Sequence, residues 1–210
     1  MKTLRRWAGV FKRRLNRLIE VKSGILLAQP ANGSSQPGSG HEGGGEVIRR
    51  TNRYRTDLPW SEQEFLRRTG NGNALYELFI QEQPVCYGWV AESGTRVGVL
   101  HDLRLVVPHC GFYIWDCATD PAFRGRGCFR TLLTGIIHGG YPDATLALVA
   151  VDTGNGASRQ ALAKAGFQRE FSYLSARILN RSLFSLAWRN GKIVAAQREF
   201  DRLGDEFPQV

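Results

Sequence analysis

The chain has 210 residues, of which 42% are hydrophobic and 22% charged, and its formal net charge is +9. This length and composition predict one globular domain with an appended segment. The longest uncharged apolar run, residues 144–151, is far shorter than the roughly 18 residues of a membrane-spanning helix, so the sequence predicts no transmembrane helix.

The four cysteines stand at positions 86, 110, 117 and 128 and form no Cys-x-x-Cys pair. This spacing is typical of reduced thiols in a cytoplasmic protein rather than of a disulfide framework. His101, His109 and Cys110 lie close in sequence but lack a recognised ligand spacing, and the sequence therefore predicts no metal site.

The positive charge is concentrated at the start of the chain. Residues 1–22 hold eight Lys or Arg against Glu20 alone, which is +7 of the total of +9. Apolar residues in this segment recur at helical spacing: Leu4, Trp7, Ala8, Phe11, Leu15, Leu18 and Ile19. The pattern predicts a basic amphipathic helix over residues 1–28, although 23–28 fit a short strand equally well.

Three partners fit such a helix. A basic face with Trp7 and Phe11 opposite suits an anionic membrane surface, which would make the protein peripheral to a membrane. The apolar stripe could instead dock on the folded domain or on a second subunit by self-association. Nucleic acid is the alternative that the sequence favours least.

The next segment has the composition of a tether. Residues 29–46 consist mainly of Gly, Ser and Pro, with almost nothing to bury, which predicts a flexible linker. We therefore expect a folded domain over residues 47–196 and a charged tail, helical or loose, over 197–210.

The first elements of that domain are recognisable in chain order. Residues 47–52 fit a strand, and a capping box, Ser61 with Glu64, opens a helix that ends before Gly70. Residues 74–81 and 85–92 predict a β-hairpin. Residues 95–110 are irregular, and a long loop beside a central strand is a place where a substrate can bind.

The centre of the domain is a strand, a glycine–arginine loop and a helix. Residues 112–119 read as a buried strand, and Gly125 and Gly127 alternate with Arg124 and Arg126 before a helix that begins near Cys128. Glycines let the backbone approach a ligand, and the free amides of a helix start attract an anion. The loop therefore predicts a phosphate-binding site.

Two nucleotide-binding motifs are excluded by what the loop lacks. A dinucleotide fingerprint needs a third glycine where Arg130 stands, and the Gly-Lys-Ser/Thr of a P-loop occurs nowhere in the chain.

Further on, residues 144–151 fit a strand, Ser158 fits an N-cap and Gly166 fits a C-cap glycine. Strands at 168–175, 182–188 and 193–196 complete a mixed α/β sheet with helices on its faces.

These two loops resemble the GNAT superfamily of acyl-CoA-dependent N-acyltransferases. The family signature, Arg/Gln-x-x-Gly-x-Gly/Ala, is matched by Arg124 and Gly127, with Phe129 where the family usually has Gly or Ala. The second cofactor segment of the family is matched by a set at the required spacing: Asn155, Ser158, Lys164, Gly166 and Phe167. The resemblance covers about residues 47–180 and implies the GNAT fold, whose central strands splay apart to admit the cofactor.

The resemblance also implies the cosubstrate and the residues that bind it. Acetyl-CoA would be held by the end of the central strand, the loop and the second segment: Cys117, Ala118, Thr119, Arg124, Gly125, Arg126, Gly127, Cys128, Phe129, Asn155 and Ser158. Arg124 would either face the phosphates or anchor the loop by bonding to neighbouring carbonyls. Cys117 and Cys128 are expected to be small buried hydrophobes rather than nucleophiles.

Acetyl transfer to an amine needs a base for the amine and an acid for the thiolate. The tyrosine that family members commonly use as the acid is replaced by Leu162, which leaves Tyr173, Tyr113, Tyr141 or water as the substitute. Asp116, expected to be buried on the central strand, is the first candidate for the base, with Glu77, His101 and His109 as rivals. Asp116 fits a structural carboxylate bonded to the backbone equally well.

The sequence thus predicts an N-acetyltransferase that acts by direct attack of a primary amine on acetyl-CoA. The acceptor stays open among small amines, amino sugars and protein amines. The alternative is a non-catalytic acyl-CoA-binding GNAT scaffold held by its basic N-terminal helix.

Overall fold

The computed structural model describes residues 19–31, 45–179 and 181–206. In chain order its elements are β1 Ile19–Pro30, β2 Glu46–Thr51, α1 Glu62–Gly70, β3 Asn73–Ile80, β4 Gln83–Ala91, β5 Arg96–Leu100, β6 Leu103–Val106, β7 Gly111–Thr119, α2 Cys128–Gly135, β8 Leu146–Asp152, α3 Gly156–Lys164, β9 Gln168–Ile178, β10 Arg181–Arg189, β11 Lys192–Ala195 and α4 Ala196–Glu206. Nine strands form one sheet in the order β11-β10-β9-β1-β8-β7-β4-β3-β2, and β5 pairs with β6 separately. The mixed α/β class is confirmed.

The first strand lies inside the sheet, where the sequence predicted a helix and a tether. β1 pairs antiparallel with β8 on one side and with β9 on the other. Ile25, Leu26 and Ala28 are buried in this position. The helix predicted over residues 1–28 is therefore wrong from Ile19 onwards. The backbone N–H and C=O groups of this stretch form hydrogen bonds with the two neighbouring strands, and not with residues of their own segment as in a helix. The part of that prediction over residues 1–18 lies outside the described residues.

The structure corrects three predicted boundaries: the start of the linker, the start of the folded domain and the start of the tail. The linker cannot begin at residue 29, since Gln29 and Pro30 pair with β8 and the amide of Ala31 donates to the carbonyl oxygen of Thr145 at 2.9 Å. The domain likewise includes β1 and does not start at 47. At the other end, the predicted tail contains α4, whose Phe200 and Leu203 are buried against the sheet.

The irregular stretch predicted over residues 95–110 is a short hairpin of β5 and β6. Its Leu103 and Leu105 are buried in the same apolar cluster as Phe200 of α4. This hairpin and α4 cover one face of the sheet. The other face is covered by α2 and α3, through Leu132, Leu133 and Leu162 among others.

The central strands separate halfway along their length. β7 and β8 are parallel and stay in register only from Gly111–Leu146 to Ile114–Val149. β7 nevertheless continues to pair with β4 as far as Thr119. One edge of β7 beyond Ile114 therefore has no strand beside it within the described residues, which is the splay that the resemblance implied. No helix among residues 19–31, 45–179 and 181–206 is long and apolar enough to cross a membrane.

Candidate active site

The loop that follows β7 is held by its own polar side chains. The carboxylate of Asp120 accepts a hydrogen bond from the amide of Ala122 at 2.8 Å, which caps a short 3-10 turn. Arg124 Nε donates to the carbonyl oxygen of Thr119 at 3.2 Å. Of the two roles considered for Arg124, the structure shows the anchoring contact. The guanidinium closes the loop back onto the end of β7.

Two glycines shape the loop into a cradle. Gly125 and Gly127 have φ of 77° and 86°, in the left-handed region that other residues avoid. A Cβ added at either position would meet no atom within 4 Å, so both face open space. Gly127 is the N-cap of α2, and the first bond of the helix runs from the amide of Thr131 to its carbonyl oxygen at 3.0 Å. The amides of residues 128–130 thus lie at the positive end of the helix dipole.

The start of α3 lies beside this cradle. Asn155, rather than the predicted Ser158, is its N-cap, and Asn155 Oδ1 accepts a hydrogen bond from the amide of Ser158 at 3.1 Å. Asn155 is the N-cap because it immediately precedes the first helical residue, Gly156, whereas Ser158 already lies in the first turn of the helix. Gly166 ends the helix region with a φ of 96°, as a C-cap glycine should.

One groove collects all of the predicted cofactor residues. It has a volume of about 880 Å³ and lies between the end of β7, the loop, and the starts of α2 and α3. All eleven predicted residues line it: Cys117, Ala118, Thr119, Arg124, Gly125, Arg126, Gly127, Cys128, Phe129, Asn155 and Ser158. Free amides, arginines and an open strand edge are what a pantetheine diphosphate requires, so the residues present fit acyl-CoA.

A second cavity meets the groove at the end of β7. It has a volume of about 330 Å³ and shares Ala118, Thr119 and Arg124 with the groove. The rest of its wall comes from β3, β4 and the segments around them: Arg55, Asp57, Leu58, Pro59, Glu77, Pro84, Val85, Cys86, Tyr87, Asp120 and Pro121. Sequence reasoning did not predict this cavity, because its wall combines distant parts of the chain.

Glu77 lines the second cavity, but both of its carboxylate oxygens already accept hydrogen bonds from protein side chains. Its side chain is about 3% exposed. Arg55 donates from Nη1 and Nη2 to its two oxygens, each at 2.9 Å, and the hydroxyl of Thr51 donates to Oε2. The hydrogen bonds to Glu77 raise the pKa of Arg55 further above its ordinary value. Glu77 therefore fixes a guanidinium at the cavity wall, and its place as a base stays a prediction.

We expect Glu77→Gln to lower the free energy of unfolding by about 2 kcal/mol, because it leaves the Arg55 guanidinium without its buried counter-charge. Urea denaturation measures the change. Glu82→Gln is the matched control, since Glu82 pairs with Arg49 in an exposed ion pair and its loss should cost less than about 0.5 kcal/mol. Equal effects of the two substitutions would contradict the assignment of Glu77 as a buried structural anion.

Asp116 does not occupy the buried position expected for a base. Its side chain is 33% exposed and lines neither cavity. It sits at a bulge of β7, with a φ of 43°, where the register with β4 shifts. Arg68 Nη1 contacts its Oδ2 at 2.5 Å, and that guanidinium packs 5.0, 5.1 and 4.7 Å from the ring centroids of three tryptophans: Trp60, Trp89 and Trp115. The expectation of a buried carboxylate is wrong, because the bulge turns Asp116 outward to Arg68.

The predicted tyrosines lie away from both cavities. Tyr173 is buried on the opposite face of the sheet, against Phe171 and Phe200. Tyr113 belongs to the same cluster, and burial raises the pKa of both phenols. Tyr141 stacks on Phe112 in the other core. The alternation of β7 and β9 sends Tyr113 and Tyr173 to the face of the sheet opposite α2 and α3, and Tyr141, which precedes β8, lines neither cavity.

The two histidines do not lie in the cavities either. His101 Nδ1 is 3.0 Å from Ser175 Oγ, and burial lowers the pKa of the imidazole. His109 Nδ1 is 3.5 Å from Ser93 Oγ. Within the described residues there is no cluster of three potential ligands that could hold a metal ion.

The thiols near the groove are poor nucleophiles. Burial raises the pKa of Cys86 to about 11 and raises the pKa of Cys117 and Cys128 above the ordinary thiol value. They are therefore protonated at neutral pH. Cys128 is buried as expected, whereas Cys117 is only half-buried at the wall of the groove. Leu162, at the position of the missing tyrosine, is buried in the core under α3.

Tyr87 is the functional candidate that sequence reasoning missed. It lines the second cavity beside Ala118 and Thr119, and its ring packs edge-on against Trp60 at a centroid distance of 4.8 Å. Burial, with the negative charge of Asp116, raises the pKa of the phenol, so the hydroxyl keeps its proton at neutral pH. The only signal in the sequence was its place in the second strand of the predicted hairpin. Its position opposite Ala118 follows from the pairing of β4 with β7.

Comparison with known proteins adds evidence at the level of the fold. No family model matches the chain, and no curated protein matches it. Among solved structures, a functionally unknown conserved protein from Staphylococcus epidermidis has a TM-score of 0.51 at 10% identity, with 79% of this chain and 64% of that one covered. A Drosophila protein has a TM-score of 0.50 at 10% identity, covering 82% and 57%.

A candidate acetyltransferase of the GNAT family from Novosphingobium aromaticivorans has a TM-score of 0.49 at 16% identity, covering 77% of this chain and 65% of that one. This chain thus spans less than two thirds of the length of each of these three proteins. Identities this low concern the fold alone. With its strand order, its opening between β7 and β8, and the glycine–arginine loop at that opening, this chain has the fold of the GNAT acetyltransferases.

Proposed function

We propose that the protein is an N-acetyltransferase that moves an acetyl group from acetyl-CoA to a small primary amine. The observation that carries the proposal is the meeting of two cavities at the end of β7. The groove reaches Ala118 and Thr119 from the side of α2 and α3, and the second cavity reaches the same residues from the side of β3 and β4. A thioester in one and an amine in the other would meet at that point.

The groove supplies the contacts of the donor. The diphosphate would bind the amides at the start of α2, within the cradle formed by Gly125 and Gly127. The pantetheine arm would pair with the open edge of β7 beyond Ile114, where backbone groups lack a strand partner. Amides of this edge near Cys117 and Ala118 would then stabilise the oxyanion that forms at the thioester carbonyl.

The second cavity supplies the contacts of the acceptor. Its volume of about 330 Å³ accommodates a small amine, an amino sugar or a single protein side chain. Three carboxylates line it against two guanidinium groups: Asp57, Glu77 and Asp120 against Arg55 and Arg124. This balance favours a cationic amine over an anionic acceptor.

The reaction needs no covalent intermediate. The bound ammonium first loses one proton to solvent, which frees the lone pair of the nitrogen. The nitrogen then attacks the thioester carbon, the carbon–sulfur bond breaks, and the thiolate of CoA takes a proton from the hydroxyl of Tyr87. The second proton that the nitrogen loses also passes to solvent, and the phenolate of Tyr87 is reprotonated from solvent. Neither step requires Asp116 or Tyr173, which lie outside both cavities.

The proposal is tested by incubating the protein with acetyl-CoA and a panel of small amines and amino sugars. Free CoA is measured with a thiol reagent, and the acetylated amine is identified by mass spectrometry. Amine-dependent release of CoA with matching product supports the enzyme. Binding of acetyl-CoA without turnover of any amine would favour the non-catalytic scaffold, for which the buried Leu162 is the supporting observation.

We expect Tyr87→Phe to lower kcat by about 10² with little change in the KM for acetyl-CoA, because loss of a general acid slows the departure of the thiolate. Tyr113→Phe is the control, since it removes a buried hydroxyl outside both cavities. An unchanged kcat in Tyr87→Phe would remove this residue from the mechanism and leave protonation to water.

A further inference from the structure

The strand β7 contains one extra residue at Asp116. It pairs with β4 at Trp115–Trp89 and next at Ala118–Tyr87. Between these two pairs β7 advances by three residues and β4 by two. Asp116 has a φ of 43°, in the left-handed region that glycine adopts most readily. The strand therefore has a bulge whose backbone is unfavourable for an L-residue unless its surroundings hold it.

This bulge decides which side of the sheet Cys117 faces. Tyr113 and Trp115 pack in or against the apolar cluster that α4 covers, and regular alternation would send Cys117 to the same side. Cys117 packs instead against the cluster that α2 covers. It lines the groove, and Ala118 lines both cavities. The extra residue thus sets the backbone at the point where the two cavities meet.

The bulge is held by Arg68, in the last turn of α1. Its Nη1 donates to Asp116 Oδ2 at 2.5 Å, and its Nε donates to Glu64 Oε1 at 2.8 Å. The Arg68 side chain is 12% exposed and packs among the three tryptophan rings described above. Because the two bonds use different nitrogens of one planar group, the guanidinium is fixed relative to both α1 and β7.

A second contact ties the neighbouring residue of β7 to the same end of α1. Asn73 Nδ2 donates to the carbonyl oxygen of Arg68 at 3.0 Å, and Asn73 Oδ1 accepts from Trp115 Nε1, also at 3.0 Å. The helix itself is fixed by Phe65, which is buried in the aromatic cluster beneath it. Two consecutive residues of β7, Trp115 and Asp116, are therefore attached to one end of α1.

We infer that Arg68 is a positioning residue: it holds the bulge at Asp116 and thereby fixes the backbone amides near Cys117 and Ala118 for acyl transfer. Arg68 lines neither cavity, so it acts through the strand and not on a ligand. The catalytic part of this inference rests on the proposed function, in which these amides stabilise the oxyanion. The geometric part, that Arg68 holds the bulge, is independent of it.

The first experiment measures residue-resolved hydrogen exchange of the full chain by NMR. Arg68→Met fills the space among the tryptophan rings but donates no hydrogen bond to Asp116. We expect it to speed exchange of the slow amides of residues 115–119 at least tenfold, because the bulge is then no longer held. Arg67→Met is the control and should leave exchange unchanged, since Arg67 donates to the same Glu64 from an exposed side chain.

Two substitutions of Asp116 separate the backbone conformation from the ion pair. Asp116→Ala and Asp116→Gly both remove the contact with Arg68, but only glycine adopts a positive φ without strain. We expect Asp116→Ala to raise exchange as Arg68→Met does. Asp116→Gly, alone or combined with Arg68→Met, should leave exchange close to that of the unaltered chain. Exchange at residues 146–149 of β8 reports whether each variant keeps its fold.

Turnover of acetyl-CoA with an amine gives the second readout. Arg68→Met and Asp116→Ala should lower kcat about tenfold with the KM for acetyl-CoA nearly unchanged, because a displaced oxyanion donor weakens binding of the transition state. Arg67→Met and Asp116→Gly should keep most of kcat. Arg68→Lys should restore it only in part, since an ammonium cannot bond Glu64 and Asp116 in the same fork.

Unchanged exchange in Arg68→Met would overturn the inference, and so would equal effects of alanine and glycine at Asp116. Faster exchange without a loss of kcat would also overturn it, because Arg68 would then stabilise the strand without positioning the amides. Absence of turnover in the unaltered chain would defeat the proposed acetyl transfer and with it the catalytic role of Arg68. Hydrogen exchange would still decide whether Arg68 holds the bulge.

Discussion

A chain that lacks residues 1–31 is expected not to fold. Its deletion removes β1 from between β8 and β9 and leaves two inner strand edges without partners. It also removes Leu26, which is fully buried and whose truncation to Ala alone should cost about 2–5 kcal/mol. Because whole domains are stable by only about 5–15 kcal/mol, the loss exceeds what the remaining sheet can supply. Near-UV circular dichroism and urea denaturation measure the result.

Deletion of residues 2–17 is the control for this prediction. It removes most of the basic segment but leaves β1 intact, so the chain should still unfold cooperatively in urea. A cooperative transition of the 32–210 fragment, with a midpoint similar to that of the full chain, would show that the first strand is dispensable. The strand order described above would then be wrong.

The double variant Arg124→Ala, Gly127→Glu is expected to lose at least 100-fold in affinity for acetyl-CoA. A side chain at Gly127 forces an L-residue into a left-handed backbone, and its carboxylate repels the diphosphate at the start of α2. Loss of Arg124 frees the loop from the carbonyl oxygen of Thr119. At a concentration of acetyl-CoA 100 times its Kd, bound ligand should stabilise the unaltered protein by about 2.7 kcal/mol. The variant should show no such stabilisation.

Thermal unfolding with and without ligand measures this difference. For a domain of this size, the Tm of the unaltered protein should rise by roughly 5–10 °C with acetyl-CoA, while that of the double variant stays constant. Arg130→Ala is the control, because Arg130 lines the same groove but takes no part in the glycine cradle. An equal rise of Tm in the double variant would place the ligand elsewhere.

The parts of the site that were predictable from sequence are local. The glycine–arginine loop, the helix that follows it and the C-cap at Gly166 depend on backbone preferences of a few consecutive residues. The same locality explains why all eleven cofactor candidates lie in one groove, since both segments follow central strands on the same side of the sheet.

The parts that were not predictable depend on pairing between distant residues. The helical stripe in sequence ends at Ile19, residues 23–28 fit a helix end or a strand, and only β8 and β9, more than 100 residues later, make residues 19–30 one strand. The bulge that turns Asp116 toward Arg68 follows from a register shift against β4. Tyr87 became a candidate only when β4 placed it beside Ala118 at the junction of two cavities.

The most direct test of the central claim is calorimetric titration of the full chain with acetyl-CoA. We expect saturable binding of one molecule per chain with a micromolar Kd, because the groove at the end of β7 offers free amides, an open strand edge and arginines to the donor. Absence of binding by the correctly folded chain would contradict the assignment of the groove as an acyl-CoA site, and with it the proposed acetyl transfer.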